Sequence, residues 1–241
     1  MNLLVIGGNS DIGFAIAKKF NQNGYSISLT KKHDSPINKE IYNFVDYKKK
    51  IKYIYFDLLD FENHEKFYIN LDPKPDIVVC AAGFFYDKDN LLKNFAKVKK
   101  TIDTNYTAYV SLLNIISNDF KKRNKGCIIG ISSVAGDRGR ASNYIYGSSK
   151  SAFSAYLSGL RNKMYPYNVN VITVKPGFIE SKMTKNLNFN KLLTSTPDVV
   201  AKDVFIAWKK KKCILYTPWY WKYILIVIRL IPEKIFQKLN L

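Results

Sequence analysis

Asn2-Leu3-Leu4-Val5-Ile6-Gly7-Gly8-Asn9-Ser10-Asp11-Ile12-Gly13 is the stretch whose reading decides the architecture. Residues 2–6 form an apolar run of strand length, and a glycine-containing loop follows. Beyond it, Phe14-Ala15-Ile16-Ala17-Lys18-Lys19-Phe20 repeats its apolar residues with helical spacing. Gly24 closes that helix, and Tyr25 to Thr30 reads as a second strand. A strand–glycine loop–helix–strand unit of about thirty residues is the setting in which a dinucleotide pyrophosphate meets a helix N-terminus. Glycines let the backbone come close to phosphates, and the free amides of the first turn donate to them. A tight turn with no ligand has the same outline, so the unit predicts a fold before it predicts a function.

The same alternation continues along the chain. Ile51 to Phe56, Asp76 to Cys80, Cys127 to Ile131, Val169 to Val174 and Cys213 to Tyr216 read as further strands. Helices are expected over roughly 90–120, from Asn143 to Tyr165 and from Pro197 to Trp208, and the lysine-rich residues 35–50 as a surface connection with some helix. Strands alternating with helices argue for one α/β domain, a Rossmann-like doubly wound parallel sheet with helices on both faces. Lys31 and Lys32 follow the second strand, where an acid would bind a free ribose 2′-hydroxyl and a base suits a 2′-phosphate. The pair favours NADP(H) over NAD(H). Asp57 either reaches the adenine edge or caps the next helix, and the small residues Ala81-Ala82-Gly83 would let a cofactor ribose lie against the backbone.

A second stretch carries chemistry. Gly130-Ile131-Ser132-Ser133-Val134-Ala135-Gly136 is followed by Tyr146-Gly147-Ser148-Ser149-Lys150. On a helix, Tyr146 and Lys150 share one face, and a loop can return Ser133 to the same pocket. A free tyrosine titrates near ~10 and is a poor acid or base at neutral pH. A neighbouring lysine cation favours the phenolate and moves its pKa towards working pH. The serine hydroxyl can hold a substrate oxygen while a hydride arrives from elsewhere. Alone, such a tyrosine–lysine pair is also what a solvated helix face looks like.

Composition narrows the field. The 241 residues carry 47% hydrophobic and 24% charged side chains, which describes a globular chain. With Cys80, Cys127 and Cys213 far apart, the cysteines are expected to be buried thiols of a reducing compartment, and His33 and His64 offer no zinc constellation. No metal is expected. The N-terminus lacks the basic region and long apolar core of a signal peptide, which predicts a cytoplasmic protein. A net charge of +19 admits nucleic acid, an anionic membrane surface or acidic ligands, or simply a biased composition. The lysines are scattered and no nucleic-acid motif accompanies them, so no nucleic-acid partner is expected.

The ordered set over about residues 2–217 resembles the short-chain dehydrogenase/reductases. The glycine loop at 7–13 is similar to the family's Gly-x-x-x-Gly-x-Gly, Ala81-Ala82-Gly83 to its Asn-Ala-Gly, and Pro176-Gly177 to the loop that closes on the nicotinamide. The resemblance implies that Tyr146 moves the proton, Ser133 orients the carbonyl, Lys150 binds the nicotinamide ribose and lowers the tyrosine pKa, and Asn105 positions a relay water. It implies cofactor contacts from Gly7, Asn9, Ser10, Asp11, Ile12, Gly13, Asp57, Leu58, Ala81, Ala82, Gly83, Tyr146, Lys150, Pro176, Gly177 and Ile179, and a homodimer or homotetramer. Tyr144 is a decoy, because position 148 is serine. Asp11 stands in place of the middle glycine, Ile6 in place of the usual threonine and Cys80 in place of the asparagine. Asp11 is read as a cap for the first helix.

Residues 218–241 read as a separate extension after a reductase domain of residues 1–217. Pro218-Trp219-Tyr220-Trp221-Lys222-Tyr223-Ile224-Leu225-Ile226-Val227-Ile228-Arg229-Leu230-Ile231-Pro232 is the most apolar stretch of the chain, and its charges break it short of the ~20 residues a bilayer span needs. A second short helix from Glu233 to Leu239 is expected to put Ile235, Phe236 and Leu239 on one side. Tryptophans, aliphatics and flanking cations suit a helix lying on an anionic leaflet; a packed lid or dimer contact is the alternative. The glycine loop and this tail together resemble the decaprenylphosphoryl-2-keto-erythro-pentose reductase branch, enzymes of surface-polysaccharide gene clusters. That implies a lipid-linked keto-sugar substrate and peripheral contact with the inner face of the cytoplasmic membrane. The competing readings are a 3-ketoacyl, steroid or nucleotide-sugar ketone as substrate, or a non-catalytic nucleotide-binding protein.

Overall fold

A computed structural model describes residues 1–33, 51–86, 94–184 and 190–239. The polar connection expected at 35–50 and the start of the helical region near 90 lie outside them. The elements are β1 (Asn2–Ile6), α1 (Asp11–Gln22), β2 (Ser26–Lys31), β3 (Ile51–Tyr55), α2 (His64–Ile69), β4 (Ile77–Cys80) and α3 (Phe95–Ile102). Then come α4 (Ala108–Arg123), β5 (Gly126–Ile131), α5 (Tyr144–Met164), β6 (Val169–Pro176), the short pair β7 (Phe178–Ile179) and β8 (Thr194–Ser195), and α6 (Pro197–Lys209). β9 (Ile214–Thr217), α7 (Trp221–Leu230) and α8 (Glu233–Phe236) complete it.

Seven strands form one parallel sheet in the order β3-β2-β1-β4-β5-β6-β9. β1 pairs with β2 on one side (Leu3 with Ile27) and with β4 on the other (Leu3 with Ile77). The chain therefore reverses its direction of winding between β1 and β4, and the crevice beyond their carboxyl ends is where such sheets bind ligands. Both faces are covered, which is why the central strands read as unbroken apolar runs. On one face Phe14, Ile16 and Phe20 of α1 meet Val200, Val204 and Phe205 of α6 across the sheet residues Leu3, Val5 and Ile129. On the other, Tyr109, Leu112 and Ile116 of α4 and Phe153 and Leu157 of α5 cover Leu4, Val78 and Ile128.

The expected helix over 90–120 is two helices joined by a π-helical turn, Asp103–Thr107, that contains Asn105. Cys80 and Cys127 are buried as expected, but Cys213 is exposed, because it precedes β9 at the sheet's edge. Among the described residues no helix is long and apolar enough to cross a membrane, and no cluster of three His, Cys, Asp or Glu could hold a metal.

The tail packs back onto the site-bearing end of the sheet. Trp221 and Leu225 of α7 bury against Val134, with Phe178 edge-on to Trp221 at 4.9 Å between ring centres. Arg138 donates to the carbonyls of Ile228 and Ile231, pairs with Glu233 at 3.0 Å and lies 3.6 Å from the centre of the Phe236 ring. Of the residues expected on one side of the last helix, Phe236 is buried beneath Arg138, whereas Ile235 and Leu239 are exposed. So are Trp219, Tyr223, Ile226, Val227 and Leu230.

Candidate active site

The glycine loop leaves β1 through Gly7, whose φ of +86° lies in the region that favours glycine. A side chain there would also fail on space, since a Cβ would lie 2.4 Å from the Ala82 nitrogen. Thr30 at the end of β2 accepts from the Gly7 amide at 3.0 Å, and Ser10 ties the loop by donating to the Gly7 carbonyl at 2.9 Å. Ser10 also accepts from the Gly13 amide at 3.0 Å, which makes it the N-cap of α1. The expectation that Asp11 caps this helix is therefore corrected. Its carboxylate accepts from the Lys182 amide at 2.6 Å and lies 3.7 Å from the Lys182 ammonium, clasping the segment after β7. Gly13 does not line the crevice; a Cβ there would meet the Gly7 carbonyl and the Ser10 hydroxyl at 2.6 Å, so it seats α1 under the loop.

Beyond the loop lies a cavity of about 950 Å³. It is lined by Gly7, Asn9, Ser10, Asp11 and Ile12 at the end of β1, by Lys31, Lys32, Asp57 and Leu58 at the ends of β2 and β3, and by Ala81, Ala82 and Gly83 at the end of β4. Pro176, Gly177 and Ile179 line it from the end of β6 onward, and Ser133, Tyr146 and Lys150 from the end of β5 and from α5. Ala81 and Ala82 both donate to the Ile6 carbonyl at 2.9 Å, which holds the strand end flat against the glycine loop. Lys32 pairs with Asp57 at 2.8 Å. Burial alone would raise the Asp57 carboxyl, but the hydrogen bonds from Lys32 and the Leu59 amide outweigh it and hold the group below the usual range. Asp57 caps no helix; it closes its own loop by accepting from Leu59 at 2.9 Å.

Ser133 sits where β5 ends. Its hydroxyl accepts from the Ala135 amide at 3.1 Å and hydrogen-bonds the Tyr146 phenol. Tyr146 stands on α5 with its ring edge-on to Phe85. Lys150, one turn on and buried, donates to the Ile131 carbonyl at 3.0 Å, with its ammonium 5.8 Å from the Tyr146 ring centre. Burial pushes the phenol up to about 12, with the Ser133 hydroxyl pulling the other way, and pushes the lysine down to about 8. Burial thus overrides the expected lowering of the tyrosine by the lysine. The loop closes tightly because Gly136 packs on the Lys150–Ser151 backbone, where a Cβ would come within 2.8 Å.

Asn105 is buried behind the cavity lining, next to Gly83. Its side chain accepts from the Phe84 amide at 2.8 Å and donates to the Phe84 carbonyl at 2.9 Å and to Ser149 at 3.1 Å. It pins the segment after β4 to α5. Sequence reasoning missed Phe84, Phe85, Lys100, Thr104, Arg140, Asn143 and Met183, all of which line the cavity. They come from loops, from the end of α3 and from the π-helical turn itself, where no periodicity marks them.

Gly7 fitted against Ala82, the small residues at 81–83 and the basic end at Lys31 and Lys32 suit an extended, phosphate-bearing dinucleotide. A hydroxyl, a phenol and an ammonium then meet at the end of the cavity where chemistry would occur. The model of the short-chain dehydrogenase family matches residues 1–192, and the chain belongs to that family of oxidoreductases. Among its relatives, an uncharacterised oxidoreductase of Mycobacterium tuberculosis is 29% identical over 161 residues, 67% of this chain. That match spans 64% of the mycobacterial protein's length. An uncharacterised oxidoreductase of Streptomyces coelicolor is 27% identical over 99% of this chain and 95% of its own. In fold, the chain is similar to a short-chain dehydrogenase from Sphingobium yanoikuyae solved with NADPH, with a TM-score of 0.82, 18% identity and 99% and 96% of the two chains covered.

Proposed function

We propose that this oxidoreductase reduces a keto group on a sugar carried by a polyprenyl phosphate, with NADPH as reductant, at the cytoplasmic face of a membrane. The observation that carries the reading is the meeting of Ser133, Tyr146 and Lys150 in one cavity whose outer wall is braced by a tail with an exposed apolar face. The cofactor would be held by the loop Gly7–Ile12, by Asp57 and Leu58, by Ala81–Gly83 and by Pro176, Gly177 and Ile179, with Lys31 and Lys32 towards a 2′-phosphate. When bound, it supplies a hydride to the carbonyl carbon. Ser133 holds the carbonyl oxygen, and Tyr146 donates its phenolic proton to that oxygen. A phenol held up to about 12 stays protonated across neutral pH and is available as an acid. Lys150, cationic below about 8, stabilises the phenolate left behind. Asn105 acts by positioning the Phe84 segment beside them.

Support for a lipid carrier comes from the tail. Trp219, Tyr223, Ile226, Val227 and Leu230 are exposed beside Lys222, Arg229 and Lys234, the composition of a helix that lies in a headgroup region. The reading includes a homodimer or homotetramer, as is usual for the family. The test is oxidation of NADPH and NADH by the purified protein, with and without anionic liposomes, against lipid-linked, nucleotide-linked and soluble ketones. Turnover of the lipid-linked keto-sugar, stimulated by liposomes and faster with NADPH, is expected. Turnover of soluble ketones alone would retire the lipid carrier and leave the tail as a lid.

A further inference from the structure

We propose that Arg140 is the docking point for an oxyanion of the substrate, with a phosphoryl group as its ligand. Arg140 lies on the loop between Ser133 and Tyr146 and lines the same cavity, next to Asn143. Its Nε and Nη2 are shielded from solvent and have no hydrogen-bond partner among the described residues. These two nitrogens form one edge of the planar guanidinium, the side-on fork that matches two oxygens of a phosphate or carboxylate. Two guanidinium nitrogens shielded from water without an acceptor are costly, and the partial burial lowers the group's pKa. A bound anion would remove that cost.

The other charges of the cavity leave this role open. The carboxylates that line it among the described residues, Asp11 and Asp57, are engaged by Lys182 and Lys32. Lys150 is held by the Ile131 carbonyl, and Lys100 lies over the Phe84 ring at 4.7 Å. Lys31 and Lys32 lie at the end of β2, which β1 and β4 separate in the sheet from β5 and Ser133. Arg140 sits instead six residues before the tyrosine, on the loop that leads from Ser133 into α5. The choice of phosphoryl over carboxylate rests on the proposed lipid-phosphate substrate; the oxyanion site itself rests on the geometry.

The experiment measures binding to the NADPH-loaded protein, by nucleotide fluorescence and calorimetry. The probes are ribulose 5-phosphate against ribulose, pyruvate against acetone, and geranyl phosphate against geraniol. The wild type is expected to prefer the phosphate-bearing member of a pair by ten-fold or more, Arg140→Gln to erase that preference, and Arg140→Lys to keep part of it. Preference for ribulose 5-phosphate but not geranyl phosphate would keep the oxyanion site and sink the lipid carrier. Preference only within the pyruvate pair would overturn the phosphoryl assignment. An equal preference in wild type and Arg140→Gln overturns the proposal, as does its absence from the wild type. So does loss of NADPH affinity in Arg140→Gln, which would give the fork to the cofactor. Arg140→Met reads out structure separately: with no partner to lose, it is expected to melt no lower than the wild type. A much lower melting temperature would make Arg140 a structural residue and refute its role.

Discussion

Replacing Lys150 by methionine is expected to stabilise the protein while silencing it. At neutral pH the native protein holds a buried ammonium that titrates at about 8, against 10.5 for a free lysine. At ~1.36 kcal/mol per pKa unit, that difference costs the folded state about 3 kcal/mol. Methionine keeps the stem's packing and removes the charge, but leaves the Ile131 carbonyl without its donor, a loss of about 1 kcal/mol. The net gain at pH 7 is about 2 kcal/mol, or roughly 4–8 °C in a chain of this size. The gain depends on pH with a definite sign. Between about 8 and 10.5 the unfolded lysine still binds a proton that the native one has released, so wild-type stability rises with pH across this window relative to the variant. Urea unfolding of both proteins at pH 7 and pH 10, with nucleotide removed, measures the difference. It is expected to shrink from about 2 kcal/mol to near zero. A variant less stable than wild type at pH 7, or a difference that does not change with pH, would refute the reasoning.

Three further perturbations follow from the same geometry. Tyr146→Phe removes the proton donor and leaves the ring packed on Phe85, so single-turnover NADPH oxidation by any ketone the wild type accepts is expected to fall by about 10²–10⁴-fold. A fall of less than ten-fold would move the acid elsewhere. Gly177→Ala would place a Cβ 1.8 Å from the Trp221 indole nitrogen, and the forced repacking is expected to cost about 2 kcal/mol, seen as a lower melting temperature with altered tryptophan emission. Arg138→Ala removes the donor to Ile228 and Ile231, and limited proteolysis within 219–239 is expected to quicken ten-fold or more; unchanged cleavage would show that Trp221 and Leu225 suffice.

The sequence made the sheet legible because a parallel sheet covered on both faces leaves a plain mark, a short apolar run between glycine and proline punctuation. Ser133, Tyr146 and Lys150 were legible because their spacing is local: one strand end, one loop, one helical turn. What stayed hidden depended on contacts distant in the chain. Ser10 and Asp11 are both good capping types, and only the bond from Asp11 to Lys182, 171 positions away, frees the role for Ser10. The π-helical turn around Asn105 has the composition of ordinary helix, and what it serves, the grip on Phe84, is invisible without the fold. Arg140 carries no pattern at all, since a guanidinium with two nitrogens shielded from solvent looks in sequence like any surface arginine.

The anchoring of α7 also has a consequence for how the protein is made. Arg138 and Gly177, on the two loops that flank the cavity, are held by residues that follow every strand of the sheet in the chain, Trp221 among them and Glu233 beyond it. The sheet can assemble on a nascent chain before those residues leave the ribosome, but the cavity's outer wall cannot. A chain cut off before Trp221 would therefore carry its reactive residues on unbraced loops, so competence arrives with α7 and not with the completion of the sheet.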